Sequence, residues 1–300
     1  NLNNTMAKLV ITDLSKTYPN GVKALDNINL EISNGMFGLL GPNGAGKSSL
    51  MRTIATLQEA DSGSIMLNDI DVEKEPRKLR QALGYLPQEF GVYPNITAYG
   101  LLDHVAVLKG ITSGSERKEM ITYLLNKVNL FDKRNKKVKS FSGGMKQRVG
   151  IAQALIGSPQ LIIVDEPTAG LDPGERNRFH NLLADVGEDV VVILSTHIVD
   201  DVRELCNNMA IMNNGRLVYT GSPITVIDEL RGQVWRKAIE REQLQSHMDN
   251  YRVISNKMVA GKPQIHVLSE INPGEGFVSI EPNLEDVFFN KIHFSETTNV

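Results

Sequence analysis

A glycine-rich segment directly after an apolar run is the feature that most constrains this 300-residue chain. The preceding run Met36–Leu40 predicts a buried strand. The following segment Lys47–Leu57 is free of glycine and proline and predicts a helix. Eight consecutive residues match the pattern G-x-x-x-x-G-K-[ST], namely Gly41, Pro42, Asn43, Gly44, Ala45, Gly46, Lys47 and Ser48. This pattern requires a strand before the loop and a helix after it.

This loop has the properties of a binding site for a chain of phosphates. Its glycines let backbone N–H groups turn toward an anion, and the N-terminus of the following helix adds about half an elementary charge. We expect Lys47 to lie between the β- and γ-phosphates and Ser48 to ligate Mg²⁺. The adjacent Ser49 is included in the predicted nucleotide-binding set.

Other strand and helix patterns predict an α/β fold. Apolar strands that alternate with helices indicate a parallel sheet covered on both faces. Helices are expected at Gly174–Val186 and through Val199–Cys206. Residues from Thr97 to about Gly157 have a helical pattern, and the stretch Gln88–Pro159 is therefore interpreted as a helical insertion. After residue 222 we expect a small α+β appendage. The remaining predicted strands are Lys8–Leu14, Asn27–Ile32, Ser64–Leu67, Leu83–Leu86, Gln160–Val164, Val190–Ser195, Gln264–Leu268 and Phe277–Ile280.

A second apolar run, Leu161–Val164, ends in the two carboxylates Asp165 and Glu166. The carboxyl ends of strands in open α/β sheets face the ligand crevice, so acids at this position indicate a role in the site. We predict that Asp165 holds Mg²⁺ through water. Glu166 is predicted to polarise the attacking water as a general base, a role typically worth ~10²–10⁴ in rate. The alternative is a solvated acidic pair before the Pro167 turn.

The segment Phe141-Ser142-Gly143-Gly144-Met145-Lys146-Gln147-Arg148 resembles the signature motif of ABC (ATP-binding cassette) ATPases. The resemblance covers residues 8–222. It implies a P-loop NTPase core at 6–222, with a mostly parallel sheet, an N-terminal antiparallel sub-sheet and a helical insertion at about 89–158. Residues 223–300 would form a C-terminal accessory domain.

The same resemblance implies that two such domains enclose two ATP molecules. Each ATP would be bound by the phosphate loop of one subunit and by Ser142, Gly143 and Gly144 of the other. Ser142 is also a good N-cap for any helix. The motif departs from its commonest form at Phe141 and Met145. Methionine cannot form the hydrogen bonds of the usual glutamine, so the contribution of Met145 stays open.

Four further positions resemble functional positions of the family. Gln88 resembles the glutamine that reaches the metal and the attacking water, and His197 resembles the histidine that contacts the γ-phosphate. Tyr18 resembles the aromatic residue that stacks on adenine, although Tyr18-Pro19-Asn20-Gly21 is also a natural turn. Asp172 resembles the aspartate that crosses the dimer interface. It also begins a capping box with proline at the first helical position, and the two interpretations are compatible.

Charge and hydropathy constrain the partners. The formal net charge of −3 gives no reason to expect nucleic acid as a partner. No apolar run approaches the ~20 residues needed to span a bilayer, and the N-terminus lacks the pattern of a signal sequence. Work at a membrane would therefore require a separate spanning subunit. The single cysteine, Cys206, excludes an internal disulfide, fits a reducing compartment and is expected to pack in the interior.

Three segments bear on partners. Lys133–Lys139 holds five basic residues in seven and is either a solvated face or a contact for nucleotide or lipid phosphates. In transporters that this chain resembles, the apolar loop Phe90–Pro94 would receive a helix of the membrane subunit. Packing within the insertion is the alternative. The segment Glu281–Phe289 resembles the closing motif of ATPases from exporters of drugs, lipids and polysaccharides. Trp235 is expected in the appendage core.

The resemblance thus implies an Mg²⁺-dependent ATPase subunit of an ABC exporter at the cytoplasmic face of the inner or plasma membrane. Its partners would be a membrane-spanning permease subunit and a second copy or a homologous ATPase, because each motif occurs once. The alternative is an ABC ATPase with a non-transport role, such as an assembly factor. A pure nucleotide-binding scaffold is disfavoured by the presence of Glu166 and His197.

Overall fold

The computed structural model describes residues 7–88, 91, 95–168, 171–186 and 190–294. In chain order the strands are β1 (Lys8–Thr17), β2 (Lys23–Ser33), β3 (Gly35–Leu40), β4 (Ser62–Leu67), β5 (Ile70–Asp71), β6 (Leu83–Leu86), β7 (Leu161–Asp165), β8 (Val191–Thr196), β9 (Asn208–Asn213), β10 (Arg216–Gly221), β11 (Val234–Ala238), β12 (Val253–Val259), β13 (Lys262–Leu268) and β14 (Val278–Ser279).

The α-helices lie between these strands and at the C-terminal end of the described chain. They are α1 (Lys47–Ile54), α2 (Pro76–Ala82), α3 (Ala98–Leu108), α4 (Gly114–Lys127), α5 (Gly143–Ala154), α6 (Pro173–Ala184), α7 (Val199–Leu205), α8 (Pro223–Asp228), α9 (Leu244–Asn250) and α10 (Leu284–Phe294). None of the described helices combines the length and the apolar character needed to span a bilayer.

A six-stranded sheet with the order β10-β9-β3-β8-β7-β6 forms the centre of the molecule. All neighbouring pairs are parallel except β10 and β9. Every residue of β7 and β8 is buried, which accounts for their unbroken aliphatic runs. The register pairs Leu40 with Thr196 and Asp165 with Ser195. The carboxyl ends of β3, β7 and β8 therefore lie side by side.

A four-stranded antiparallel sheet, β2-β1-β4-β5, covers one face of the central sheet. Leu9 and Leu25 of this sheet share one apolar cluster with Leu50 of α1 and Ile163 of β7. The P-loop NTPase fold class, with its mostly parallel sheet and N-terminal antiparallel sub-sheet, is thereby confirmed. The phosphate-loop helix α1 is held between the two sheets.

The predicted helical insertion consists of three helices, α3, α4 and α5, whose inner faces share a second apolar cluster. Between α4 and α5 two 3₁₀ turns, Phe131–Lys133 and Val138–Ser140, overlap the two ends of the basic run Lys133–Lys139. Its lysine side chains are exposed, which agrees with either interpretation of this run. The backbone of this run is paired with the chain before α3, since Val138 N–H donates to the Ile96 carbonyl at 3.0 Å.

The C-terminal appendage is built on a third sheet, β12-β13-β11-β14, which is antiparallel. Trp235 packs at the edge of its apolar cluster, and its Nε1 donates to the Ser269 carbonyl at 3.0 Å. Helix α10 returns to the nucleotide-binding core, where it packs against α7 and α8. Leu284 and Phe288 join the same apolar cluster as the insertion helices. Because the core crosses residue 222, the predicted domain boundary there remains a proposal.

Several predicted element ends were wrong. Helix α1 ends at Ile54 instead of Leu57, because Thr56 has a φ of 57° and Leu57 N–H donates back to the Arg52 carbonyl at 2.8 Å. This left-handed residue closes the helix. Helix α6 begins one residue earlier than predicted and ends at Ala184, not Val186. Strand β1 continues to Thr17.

Other differences concern neighbouring segments. Strand β2 already begins at Lys23, because it pairs with the longer β1. Strand β14 is shorter than the predicted Phe277–Ile280, since Phe277 packs into the appendage cluster. Cys206 follows α7 instead of lying within it, but its packing role is confirmed: it is 7% exposed, and burial raises the pKa of its thiol.

Gly84→Ala is expected to lower the free energy of unfolding by about 1–3 kcal/mol. A Cβ at residue 84 of β6 would lie 2.1 Å from the backbone oxygen of Ala154 in α5, so the strand or the helix must shift. Urea denaturation at 25 °C measures the loss. Gly114→Ala is the control, because the nearest atom to its Cβ is 3.9 Å away. Equal stabilities of the two variants would contradict the close-packing explanation.

Candidate nucleotide-binding site

The glycine-rich loop lies between β3 and α1, in a backbone conformation that glycine permits. Gly44 and Gly46 have φ angles of 80° and 106°. A Cβ on Gly46 would also lie 2.3 Å from the Ala24 carbonyl oxygen, so a side chain is excluded there on two grounds. Gly46 is the N-cap residue of α1 and has no side chain to occupy the first N–H groups of that helix. These groups are suited to bind an anion.

Lys47 is the first residue of α1 and is only 6% exposed. Its Nζ donates to the carbonyl oxygens of Gly41 at 2.7 Å and Pro42 at 3.2 Å. Burial lowers the pKa of Lys47, while the nearby charges of Glu166 and Asp165 act in the opposite direction. The predicted phosphate-binding cation and the two predicted acids therefore lie close enough to interact.

A groove of about 490 Å³ opens beside the loop. It brings together most of the residues predicted from the sequence, namely Tyr18, Pro42, Asn43, Gly44, Ala45, Gly46, Lys47, Ser48, Ser49, Gln88 and Glu166. Four more lining residues were missed, namely Val22, Lys23, Ala24 and Asn214. Asn214 belongs to the turn between β9 and β10, where Gly215 N–H donates to the Ala45 carbonyl at 2.9 Å. No local pattern in the sequence indicates this contact.

Tyr18 lies in the predicted turn and also lines the groove. The predicted turn is confirmed, because Gly21 N–H donates to the Tyr18 carbonyl at 2.9 Å. The phenol lies on the groove wall, where its oxygen is 3.0 Å from both Ser49 Oγ and Gln58 Oε1. These bonds fix the ring relative to α1, which suits a residue that stacks on a planar base.

Asp165 ends β7 and is 6% exposed. Burial raises its pKa, with the charge of Glu166 acting in the same direction and the Ser195 hydroxyl and Lys47 acting against it. Among the described residues, no group satisfies Asp165 Oδ1 by a hydrogen bond of normal geometry. A buried acceptor without a partner is costly, so this oxygen is available to accept a hydrogen bond from a bound ligand.

Glu166 has a left-handed backbone with φ of 46°. For a residue other than glycine this conformation costs on the order of 1–3 kcal/mol and persists only where the surroundings impose it. Here the Glu166 N–H donates to the Ser195 carbonyl at 2.9 Å, which holds the turn against β8. The turn directs the carboxylate into the groove. Its Oε2 lies 2.8 Å from His197 Nδ1.

His197 follows the end of β8, and Gln88 follows the end of β6 by two residues. Gln88 lines the groove, whereas His197 is not among the described lining residues and is connected to the groove through Glu166. The predicted docking loop Phe90–Pro94 lies outside the described residues, apart from the exposed Gly91.

The signature segment forms the start of α5. Ser142 is its N-cap and accepts a hydrogen bond from Met145 N–H at 3.3 Å. Phe141 is buried in the insertion core, and the partly buried Met145 packs against the same core. The two departures from the usual motif are therefore apolar packing positions. Ser142 and Gly143 are exposed.

The described lining of the groove does not include Ser142, Gly143, Gly144 or Asp172. Asp172 is the N-cap of α6, since its carboxylate accepts from Glu175 N–H at 2.9 Å. The Glu175 carboxylate pairs with Arg178 at 2.9 Å and with Arg148 at 3.6 Å. Among the described residues the Glu175 carboxylate therefore pairs with arginines and not with the Asp172 backbone N–H. Only the half of the predicted capping box in which Asp172 accepts is formed there.

The predicted metal ligands fit Mg²⁺. Asp165 supplies a buried carboxylate oxygen without a partner, and Ser48 and Gln88 supply neutral oxygen atoms at the groove. Within the described part of the chain, no cluster of three or more His, Cys, Asp or Glu side chains could hold a metal by itself. Mg²⁺ commonly binds in this way, through one or two carboxylates together with water and substrate phosphates.

Comparison with known proteins gives a consistent result. The family model described as ABC transporter matches residues 25–169. The linearmycin resistance ATP-binding protein LnrL of Bacillus subtilis is 38% identical over 197 residues, which are 65% of this chain and 63% of LnrL. The methionine import ATP-binding protein MetN of Carboxydothermus hydrogenoformans is 36% identical over 222 residues, 71% of this chain and 66% of MetN. The chain thus spans just under two thirds of these two relatives.

One relative matches almost end to end. The Nod factor export ATP-binding protein I of Rhizobium etli is 33% identical over 300 residues, 94% of this chain and 92% of its own length. Among solved structures, the dimeric post-hydrolysis state of the ATP-binding cassette MJ0796 bound to ADP and Pi has a TM-score of 0.65 and 28% identity. That match covers 71% of this chain and 98% of the cassette.

Asp165→Asn is expected to raise the free energy of unfolding at pH 7 when neither nucleotide nor metal is present. The pKa of Asp165 lies above its ordinary value of 3.8, so its ionised form is disfavoured in the fold. The stability that the protonated form contributes is complete below that ordinary value and is lost as pH rises through the folded pKa. The advantage of the variant should therefore disappear on acidification, as measured by urea unfolding across pH.

Asp61→Asn provides a control of opposite sign. Hydrogen bonds from the Lys16 side chain and the Thr17 N–H lower the pKa of Asp61. Its ionised form stabilises the fold above its ordinary pKa, and this stability is lost as pH falls through the folded pKa. Asp61→Asn should therefore be less stable than wild type at pH 7. The same sign for both variants would contradict these assignments.

Proposed function

The chain belongs to the family of ABC transporter ATP-binding proteins, and on this premise we propose that it hydrolyses ATP to power a transporter. The observation that carries the proposal is the contact between Glu166 Oε2 and His197 Nδ1 at 2.8 Å, beside the phosphate loop. The carboxylate lines the same groove as Lys47, and the imidazole, which follows the neighbouring strand end, reaches the groove through its contact with Glu166. A scaffold that only binds nucleotide has no use for this pair.

The roles follow from the positions of the side chains. Lys47 and the open N–H groups at the start of α1 bind the phosphate chain, and Tyr18 supports the base at the groove wall. Glu166 accepts the proton of the attacking water as general base. His197, which neighbours Glu166, orients that carboxylate and contacts the γ-phosphate. Gln88 reaches the water from the end of β6.

Mg²⁺, held by Ser48 and by Asp165 through water with Gln88 nearby, would neutralise charge on the β- and γ-phosphates. The unpaired Asp165 Oδ1 supports this assignment. The chain itself keeps that oxygen buried and pre-positioned, because the ladder with Ser195 fixes the end of β7.

A second subunit is part of the proposal. Ser142, Gly143 and the α5 N-terminus present hydrogen-bond donors to solvent, away from the described lining of the groove. They can bind the γ-phosphate of a nucleotide held by another copy or by a homologous ATPase. Asp172 at the start of α6 would cross the same interface. The dimeric state of the MJ0796 cassette supports this arrangement.

We also infer a membrane-spanning permease partner and an export function. The Nod factor export relative matches 94% of this chain and therefore includes most of the appendage, whereas the MetN match covers 71%. Peripheral attachment at the cytoplasmic face of the inner or plasma membrane follows from such a partner. Cargo recognition would then belong to the permease.

Glu166→Gln is expected to bind ATP and hydrolyse it at least tenfold more slowly, because loss of a general base typically costs ~10²–10⁴ in rate. Lys47→Ala is expected to lose ATP binding itself, since the phosphate chain loses its buried cation. Steady-state release of phosphate and equilibrium binding of a fluorescent ATP analogue distinguish the two effects.

The matched controls for these variants are Glu270→Gln and Lys118→Ala. Both change the same residue types at exposed positions outside the groove. They should hydrolyse ATP within twofold of wild type. Near wild-type turnover by Glu166→Gln would remove the proposed base, and unchanged affinity of Lys47→Ala would remove the proposed phosphate contact.

Tagged Glu166→Gln protein, captured with ATP from detergent-solubilised native membranes, should carry a polytopic membrane protein in fixed stoichiometry. The slow variant is chosen because ATP holds the dimer closed. Mass spectrometry identifies the partner, and Lys47→Ala provides the matched capture without bound ATP. Recovery only from the soluble fraction would instead favour a non-transport role such as an assembly factor.

A further inference from the structure

A buried carboxylate behind the groove joins the turns that carry the proposed reacting pair. Asp201, in the first turn of α7, is 0% exposed. Its Oδ2 accepts hydrogen bonds from Thr168 Oγ1 at 2.6 Å and from Thr196 Oγ1 at 3.3 Å. Thr168 lies two residues after Glu166, and Thr196 directly precedes His197. One oxygen atom thus holds both turns.

The Thr196 hydroxyl extends this connection around His197. It accepts from Ile198 N–H at 2.9 Å while it donates to Asp201. Asp201 N–H in turn donates to the Ile198 carbonyl at 3.2 Å. The backbone on both sides of His197 is therefore fixed to the same carboxylate residue.

The other carboxylate oxygen of Asp201 is bound to α6. Arg176 approaches Oδ1 through Nε at 2.8 Å and Nη2 at 2.7 Å, and His180 Nε2 lies 2.9 Å from the same atom. The second ring nitrogen of His180 is 3.1 Å from Glu204 Oε2. Since Asp172 caps α6, the network also connects the proposed interface aspartate to the turns of Glu166 and His197.

Stability alone is a weak reason for such a network. Desolvation of buried charges offsets most of their attraction, and well-packed apolar residues are often as stable. Position is a stronger reason, because a displacement of about 1 Å at a reacting group can cost ~10²-fold in rate. Each bond of Asp201 Oδ2 ends on a residue next to, or two positions from, a member of the proposed reacting pair.

We propose that Asp201 is a positioning residue for hydrolysis, which tethers the Glu166 turn, the His197 turn and α6 through its two carboxylate oxygens. This inference rests on the proposed ATP hydrolysis. Asp201 is not among the residues that line the groove, so its loss should lower kcat and leave the KM for ATP nearly unchanged. Binding depends on Lys47, Tyr18 and the loop, which the network does not contact.

Substitutions of Thr168 test the tether with little change in volume. Thr168→Val removes the hydroxyl and keeps the shape, whereas Thr168→Ser keeps the hydroxyl and removes the methyl group. We expect kcat of Thr168→Val to fall three- to tenfold with KM within twofold of wild type. Thr168→Ser should retain kcat within twofold. If Thr168 is merely structural, the kcat values of both variants should instead fall in step with their midpoints of thermal unfolding.

Asp201→Asn should lower kcat at least tenfold, because an amide cannot accept at both positions. Asp200→Asn is the matched control, since this neighbour lies on the same helical turn with a side chain 60% exposed, and its kcat should stay within twofold. If Asp201→Asn does not fold, the two Thr168 variants decide the question. All rates are measured on the full chain with Mg²⁺ and ATP and divided by the fraction of protein that binds nucleotide.

Two results would overturn the positioning role: equal kcat for Thr168→Val and Thr168→Ser, or a wild-type kcat in folded Asp201→Asn. In either case the proposed function would stand, provided that wild type is active and Glu166→Gln is slow. If wild type hydrolyses ATP no faster than Glu166→Gln, the proposed function is overturned, and the inference with it. The two failures are therefore distinguishable in one set of assays.

Discussion

The parallel hydrogen-bond ladder among β3, β8 and β7 is the constraint on which the site depends. It aligns Leu40 with Thr196 and Asp165 with Ser195, so three strands end at the same height. The phosphate loop, Glu166 and His197 follow these ends directly, and Asp165 is the last residue of β7. Residues that are far apart along the chain therefore meet in one groove without long loops. A shift of one strand by one residue would turn its polar end residues to the opposite face of the sheet.

The site retains charge and strain that a core selected only for stability would lack. Lys47 and Asp165 are buried, Glu166 has a left-handed backbone, and Asp165 Oδ1 is unsatisfied within the described chain. These features persist because both sheets and the insertion bury extensive aliphatic surface around them. The Asp201 network has the same character. It places a carboxylate in the interior and satisfies both of its oxygens with side chains from three separate segments.

Sequence patterns predicted those parts of the fold and the site that depend on residues close together in the chain. The loop Gly41–Ser48 has its own signature, and the strand ends with Glu166 and His197 could be placed because apolar runs of strand length precede them. The end of α1 was not predictable, since nothing in the composition of Thr56 indicates a positive φ. The contributions of Asn214 and Asp201 depend on packing between segments distant in sequence. Apolar periodicity could not show them, and neither residue lies in a recognisable motif.

The environment of Cys206 has a consequence for measuring motion. Its thiol is buried beside Gly38 under α7, and its raised pKa keeps it protonated and unreactive at neutral pH. Because it is the one cysteine in the sequence, a cysteine introduced on the exposed surface would be the single reactive thiol. A fluorophore or spin label could then be attached without first building a cysteine-free background. In a pair of identical subunits, one such label would report the distance between them throughout a nucleotide cycle.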